Sequence, residues 1–186
     1  MRRRDVLRSL SALALGSLLS PLSPAERLRL AGTLHADPGP GGQGTSLKVL
    51  DARRAALVLA IADTILPRTD TPGALDSGVV EFLDRLLETW HTEVERSQFL
   101  AGLEAFDVRC RDATGGTFET LDGAARVGFL TGIDGATRGA AVGSAESFYA
   151  RLKEVTVYAY LTSKPVQEGI FRVPVIPGRF EGCTPA

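Results

Sequence analysis

An all-α fold, a bundle of about five helices with an extended C-terminal arm, is what this chain of 186 residues predicts, and three observations predict it. Apolar residues recur at spacings of three, four and seven over most of the chain, the period of a helix with one buried stripe. No stretch alternates apolar and polar residues long enough to require a sheet. Gly- and Pro-rich segments fall between the periodic runs, where turns belong.

The first helix follows Asp51, a candidate N-cap, and carries Leu57, Ile61 and Ile65 in register with Leu50 before Pro67 stops it. Residues 68–78 are rich in Thr, Asp, Pro and Gly and read as a loop. A second stripe runs Val79, Leu83, Leu86, Trp90 and Val94, widened by Phe82 and Leu87. A break near Arg96 and Ser97 separates it from a third, Phe99, Leu103, Phe106 and Cys110, closed by Thr114-Gly115-Gly116. A fourth helix is expected over residues 118–133 with Thr120 as its N-cap, weakened by Gly123 and Gly128. After a connection over residues 132–143, Ser144 caps a long fifth helix. Its stripe is Phe148, Leu152, Val155, Ala159 and Thr162, with Tyr149, Tyr158 and Tyr160 alongside, and Lys164-Pro165 ends it. The run Phe171-Arg172-Val173-Pro174-Val175-Ile176-Pro177 is apolar and proline-punctuated, so it reads as an arm. Such an arm either folds back on its own bundle or lies on a partner.

Ahead of the bundle, Arg3-Arg4-Asp5-Val6-Leu7-Arg8 precedes a mildly apolar run from Leu10 to Leu22 interrupted by Ser11, Gly16, Ser17 and Ser20. Arg3, Arg4, Val6 and Leu7 in this order read as a twin-arginine export signal, the address of proteins that cross the bacterial inner membrane already folded. The run is shorter than the roughly 20 apolar residues a membrane span needs. Residues 1–36 are therefore assigned to the leader, with Leu34-His35-Ala36 the nearest small-residue cleavage candidate, residues 37–46 to a Gly/Pro linker, and residues 47–186 to the folded domain. Periplasmic localisation follows from this reading.

A hydrophobic content of 44% with 23% charged residues excludes a disordered chain, and a formal net charge of −1 gives no basic footprint for nucleic acid. Cys110 and Cys183 are the two cysteines. An oxidising compartment lets them form an internal disulfide closing a loop of roughly 73 residues, a bond to another chain, or neither.

No catalytic, cofactor or metal motif emerges. Of two histidines, His35 lies in the linker and His91 stands one turn before Glu95, a spacing typical of a solvated helical pair. Asp63 reads as a helix-end carboxylate bonded to the loop donors Thr69 and Thr71. There is no Cys-x-x-Cys, phosphate loop, His-Glu-x-x-His or nucleophile elbow.

Two blocks carry a resemblance. Ala60-Ile61-Ala62-Asp63-Thr64-Ile65-Leu66-Pro67, Thr69-Asp70-Thr71-Pro72-Gly73-Ala74 and Val79-Val80-Glu81-Phe82-Leu83-Asp84 resemble the opening of the gluconate 2-dehydrogenase subunit 3 family. Phe148-Tyr149, Leu152-Lys153, Thr156 and Tyr160-Leu161-Thr162-Ser163, followed by Val175-Ile176-Pro177-Gly178-Arg179-Phe180-Glu181-Gly182-Cys183, resemble its close, apart from Pro165 where a Gly-containing turn is expected. The resemblance implies a small non-catalytic subunit of a periplasmic sugar or sugar-acid dehydrogenase. Its catalytic partner would be a glucose-methanol-choline-type flavoprotein carrying FAD, with a cytochrome c subunit in some complexes, and the pair would pass the twin-arginine translocase together. Trp90 and the arm residues Phe171, Val173, Val175, Ile176 and Phe180 are the candidate partner interface. A free-standing exported helical ligand-binding domain is the alternative reading of the same residues.

Overall fold

The computed structural model describes residues 47–171. Among them the all-α class holds: six α-helices, the last a single turn, follow one another with no strand. They are α1 (Ala52–Ile65), α2 (Val79–Thr89), α3 (Glu93–Thr114), α4 (Gly123–Asp134), α5 (Ala145–Thr162) and α6 (Lys164–Val166). Two 3-10 turns, Leu75–Ser77 and Phe118–Thr120, and a π-helical turn, Gln167–Phe171, complete the order. The leader, the linker and the arm beyond Phe171 lie outside the described residues.

The helix starts follow local chemistry, because the first backbone N–H groups of a helix need an acceptor from a side chain. Asp51 accepts from Arg54 N at 2.8 Å and Ser144 from Ser147 N at 3.2 Å, both at the expected positions. Two expectations are corrected. The break between the second and third helices falls at Trp90, not near Arg96 and Ser97, because Thr92 and Glu95 form a reciprocal capping box. Trp90 and Val94 consequently leave the buried stripe and stand exposed. The fourth helix is capped by Asp122, which accepts from Ala125 N at 2.8 Å. The Thr120 hydroxyl instead donates to the Thr117 carbonyl at 2.8 Å inside the preceding 3-10 turn.

Helix α5 is central and packs against α1, α2, α3 and α4. Its closest neighbour is α3, where Gly102 lets the two backbones approach: a Cβ built there would lie 2.6 Å from the Cβ of Phe148. Phe106 meets Phe118, Phe129 and Phe148 edge-on at centroid separations of 5.6, 5.4 and 5.6 Å. One ring thereby joins α3, the second 3-10 turn, α4 and α5, each contact adding about 0.5–1.5 kcal/mol beyond simple burial. The hydroxyl of Thr156 on α5 is buried without a hydrogen-bond partner.

Ion pairs fasten the periphery. Arg54 Nε reaches Glu104 at 3.2 Å and Arg53 engages Asp107, tying α1 to α3, while Arg111 pairs with the same Asp107 within α3. Lys153 and Asp134 meet at 2.8 Å between α5 and α4, and Arg109 pairs with Glu146 across α3 and α5.

The loop between α1 and α2 is closed by its own backbone. Ala74 N donates to the Leu66 carbonyl at 2.9 Å, Gly73 N to Asp76 at 2.8 Å, and the Ser77 hydroxyl to the Gly73 carbonyl at 2.9 Å. Gly73 is required there, since a Cβ would stand 2.6 Å from the Arg68 nitrogen. Arg68 pairs with Asp76 at 3.0 Å over the outside of the turn.

Candidate functional site

Buried carboxylates are the first place to look for chemistry, because a desolvated acid with free lone pairs is a natural proton-transfer group. Asp84 and Asp107 are 4% and 2% exposed. Neither is free. Asp84 on α2 accepts three consecutive backbone N–H groups, from Lys48 at 2.7 Å, Val49 at 2.9 Å and Leu50 at 2.8 Å. It holds the segment entering α1. Asp107 is engaged by two guanidinium groups. Asp63 is half-buried, and the loop it was expected to bond is satisfied by other groups: Thr69 donates to Asp70 at 2.8 Å and, through its backbone, to Thr71 at 3.1 Å.

His91 follows from the helix end. With α2 terminated at Trp90, whose N–H reaches the Leu86 carbonyl at 3.1 Å, the His91 ring folds back so that Nδ1 lies 3.2 Å from the same carbonyl. Desolvation lowers the His91 pKa, outweighing the raising effects of that carbonyl and of the Glu95 charge; Arg151 and Arg96 lower it further. Its expected pairing with Glu95 is weakened, because that carboxylate is engaged by the Thr92 backbone and hydroxyl at 2.8 Å each, which lower its own pKa.

A pH dependence follows. Above the unfolded value of about 6.5 the ring is neutral in both states. As pH falls through that value, the unfolded chain takes up the proton before the folded one, so stability is lost until the lowered folded value is passed. We expect the thermal midpoint to fall between pH 7 and pH 5 more steeply in the native chain than in His91→Asn, followed by circular dichroism. Equal slopes would remove His91 from the account.

Among the described residues no group of three His, Cys, Asp or Glu is placed to hold a metal, and no helix is long and apolar enough to cross a membrane. Cys110 is a free, buried thiol 3.8 Å from the Thr114 hydroxyl, and burial raises its pKa. Its candidate partner Cys183 lies outside the described residues.

What remains is surface. Trp90 is 49% exposed at the C-terminal end of α2, beside exposed Val94. Phe171, also 49% exposed, ends the π turn, which follows α6 and is steadied by Gln167 donating through its side chain to the Leu161 carbonyl. Helix α6 packs on the 3-10 turn that precedes α2, whereas Trp90 stands at the other, C-terminal end of α2. The other expected interface residues, Val173, Val175, Ile176 and Phe180, and the export residues Arg3, Arg4, Val6 and Leu7, lie outside the described residues. An apolar residue not anticipated from sequence is also exposed: Leu75, at 60%. The available signal was a leucine in a turn-forming segment that no helical stripe claimed.

The family model for gluconate 2-dehydrogenase subunit 3 matches residues 52–178, from the first helix of the bundle into the arm. The chain belongs to the gluconate 2-dehydrogenase subunit 3 family. Among curated proteins and among solved structures, none matches it. For a subunit 3 family member, membership implies association with a gluconate dehydrogenase complex as an accessory subunit.

Proposed function

We propose that the chain is the non-catalytic small subunit of a periplasmic, flavin-dependent sugar or sugar-acid dehydrogenase, and that it escorts its catalytic partner through the twin-arginine route and stabilises it. The observation that carries this reading is the pairing of Arg3-Arg4-Asp5-Val6-Leu7 with a domain of a dehydrogenase subunit family. An export address for folded cargo on such a subunit makes sense if a second chain travels with it.

FAD belongs to the partner, a glucose-methanol-choline-type flavoprotein that oxidises the substrate. A cytochrome c subunit accepts the electrons where one is present. Contacts with the flavoprotein are assigned to the arm, residues 171–183, and to the surface around Trp90.

The test is the double substitution Arg3→Lys and Arg4→Lys, with cell fractions probed for both chains and for dye-linked dehydrogenase activity. Both chains are expected to remain in the cytoplasm, and periplasmic activity to fall to that of a strain lacking this chain. A flavoprotein that still reached the periplasm would end the escort reading.

A further inference from the structure

We propose that residues 48–50 are a latched strap. They close on the single carboxylate of Asp84, open as one unit while the helices stay folded, and when closed set how far a protease can trim the folded domain from its N-terminal side. Lys48, Val49 and Leu50 turn three consecutive N–H groups onto that carboxylate. Lys48 N reaches one oxygen at 2.7 Å, and Val49 N and Leu50 N share the other at 2.9 and 2.8 Å. Successive amides facing one anion form a cradle of aligned dipoles, and bonds to an ionised acceptor are stronger than bonds between neutral groups.

All three bonds depend on one side chain. Among the described residues the strap amides are the hydrogen-bonding partners of Asp84, and no Lys or Arg forms an ion pair with it. The carboxylate is buried, and Val80 and Leu87, one turn away on α2, are buried too. A strap detached at one amide leaves the charge short of donors and out of water, so the intermediate arrangements are unfavourable. Two arrangements remain: shut, or open with water at the carboxylate.

Opening need not disturb the helices. Of the three strap residues Leu50 is buried, Val49 half-buried and Lys48 exposed. The next residue, Asp51, caps α1 through its own side chain, so the first turn of α1 keeps its acceptor when the strap lifts. A short segment with few buried contacts, joined to well-packed elements, opens below the global transition. Closure, in contrast, needs the fold, because the amides and the carboxylate are 34–36 positions apart and meet only when α1 and α2 are packed. The Lys48–Val49 peptide bond is a site for a protease that cuts after a basic residue. Its own nitrogen, Val49 N, is bonded to Asp84, so cleavage there requires an open strap.

The experiment is residue-resolved amide hydrogen exchange of the full chain in urea concentrations below its unfolding transition. The Lys48, Val49 and Leu50 amides are expected to share one protection factor, at least about tenfold below that of the buried α5 amides. Rising urea should lower protection in α5 steeply and leave the strap amides nearly unchanged, because little surface is exposed when the strap lifts. In Asp84→Ala, helical by circular dichroism, strap protection should fall about a hundredfold or more. Trypsin should then release the fragment beginning at Val49 at least about tenfold faster than from the native chain. Strap amides that follow α5 in urea would overturn the proposal, since the strap would open only with the bundle; that comparison needs no variant. Unequal protection of the three amides would overturn the single unit. A helical Asp84→Ala that keeps strap protection would overturn the latch and assign the hold to Leu50. Equal rates of cutting after Lys48 in the native chain and in Asp84→Ala would overturn the limit on trimming.

Discussion

Replacing Asp84 with alanine is expected to cost the domain on the order of 3–5 kcal/mol, since it removes the acceptor of three backbone N–H groups at once. Lys48, Val49 and Leu50 donate to its two oxygens at 2.7–2.9 Å, and the carboxylate is nearly inaccessible to water. A buried donor left without an acceptor carries a desolvation penalty of about 1–3 kcal/mol. Part of that is recoverable here because the Lys48 and Val49 contacts are only partly buried and water can reach them. Urea denaturation of the purified chain measures the loss. Asp84→Asn keeps one acceptor oxygen and should fall between native and Asp84→Ala. A loss below about 1 kcal/mol in the alanine variant would mean that the entering segment is held by its apolar side chains and not by this carboxylate.

Gly102→Ala is expected to destabilise by about 3 kcal/mol, although helix propensity alone favours alanine by about 1 kcal/mol. Sign therefore separates the two effects. The added Cβ would stand 2.6 Å from the Phe148 Cβ and 3.1 Å from the Ser144 carbonyl oxygen, neither of which is the movable end of a side chain. Relief requires α3 and α5 to separate along their tightest contact. Gly128→Ala is the control: its Cβ would meet nothing within 4 Å, so propensity should raise stability there. A Gly102→Ala protein as stable as the native one would show that the helix pair can shift without loss.

The fold was legible where a residue acts on its own neighbourhood. Asp51 and Ser144 cap the amides three positions on, and Gly115, with φ of 76°, closes α3 as expected of a glycine in the left-handed region. At the second break, Thr92 and Glu95 stand at capping-box spacing, and this local pair, not the apolar stripe through Trp90 and Val94, sets where α3 begins. Thr120 and Asp122 are both good caps, and only the competing bond to Thr117 decides between them. What sequence did not reveal was long-range. Asp84 meets amides about 35 positions away, and Asp107 meets Arg53 across 54.

The closed environment of Cys110 sets an order of events. A chain that folds before meeting an oxidant carries this thiol shut within the bundle, with its pKa raised by burial, so that little of the reactive thiolate is present at neutral pH. Oxidation then waits on how often α3 opens and not on how much oxidant surrounds the protein. If the domain is exported already folded, as proposed, the redox fate of Cys110 beyond the membrane is a matter of unfolding kinetics.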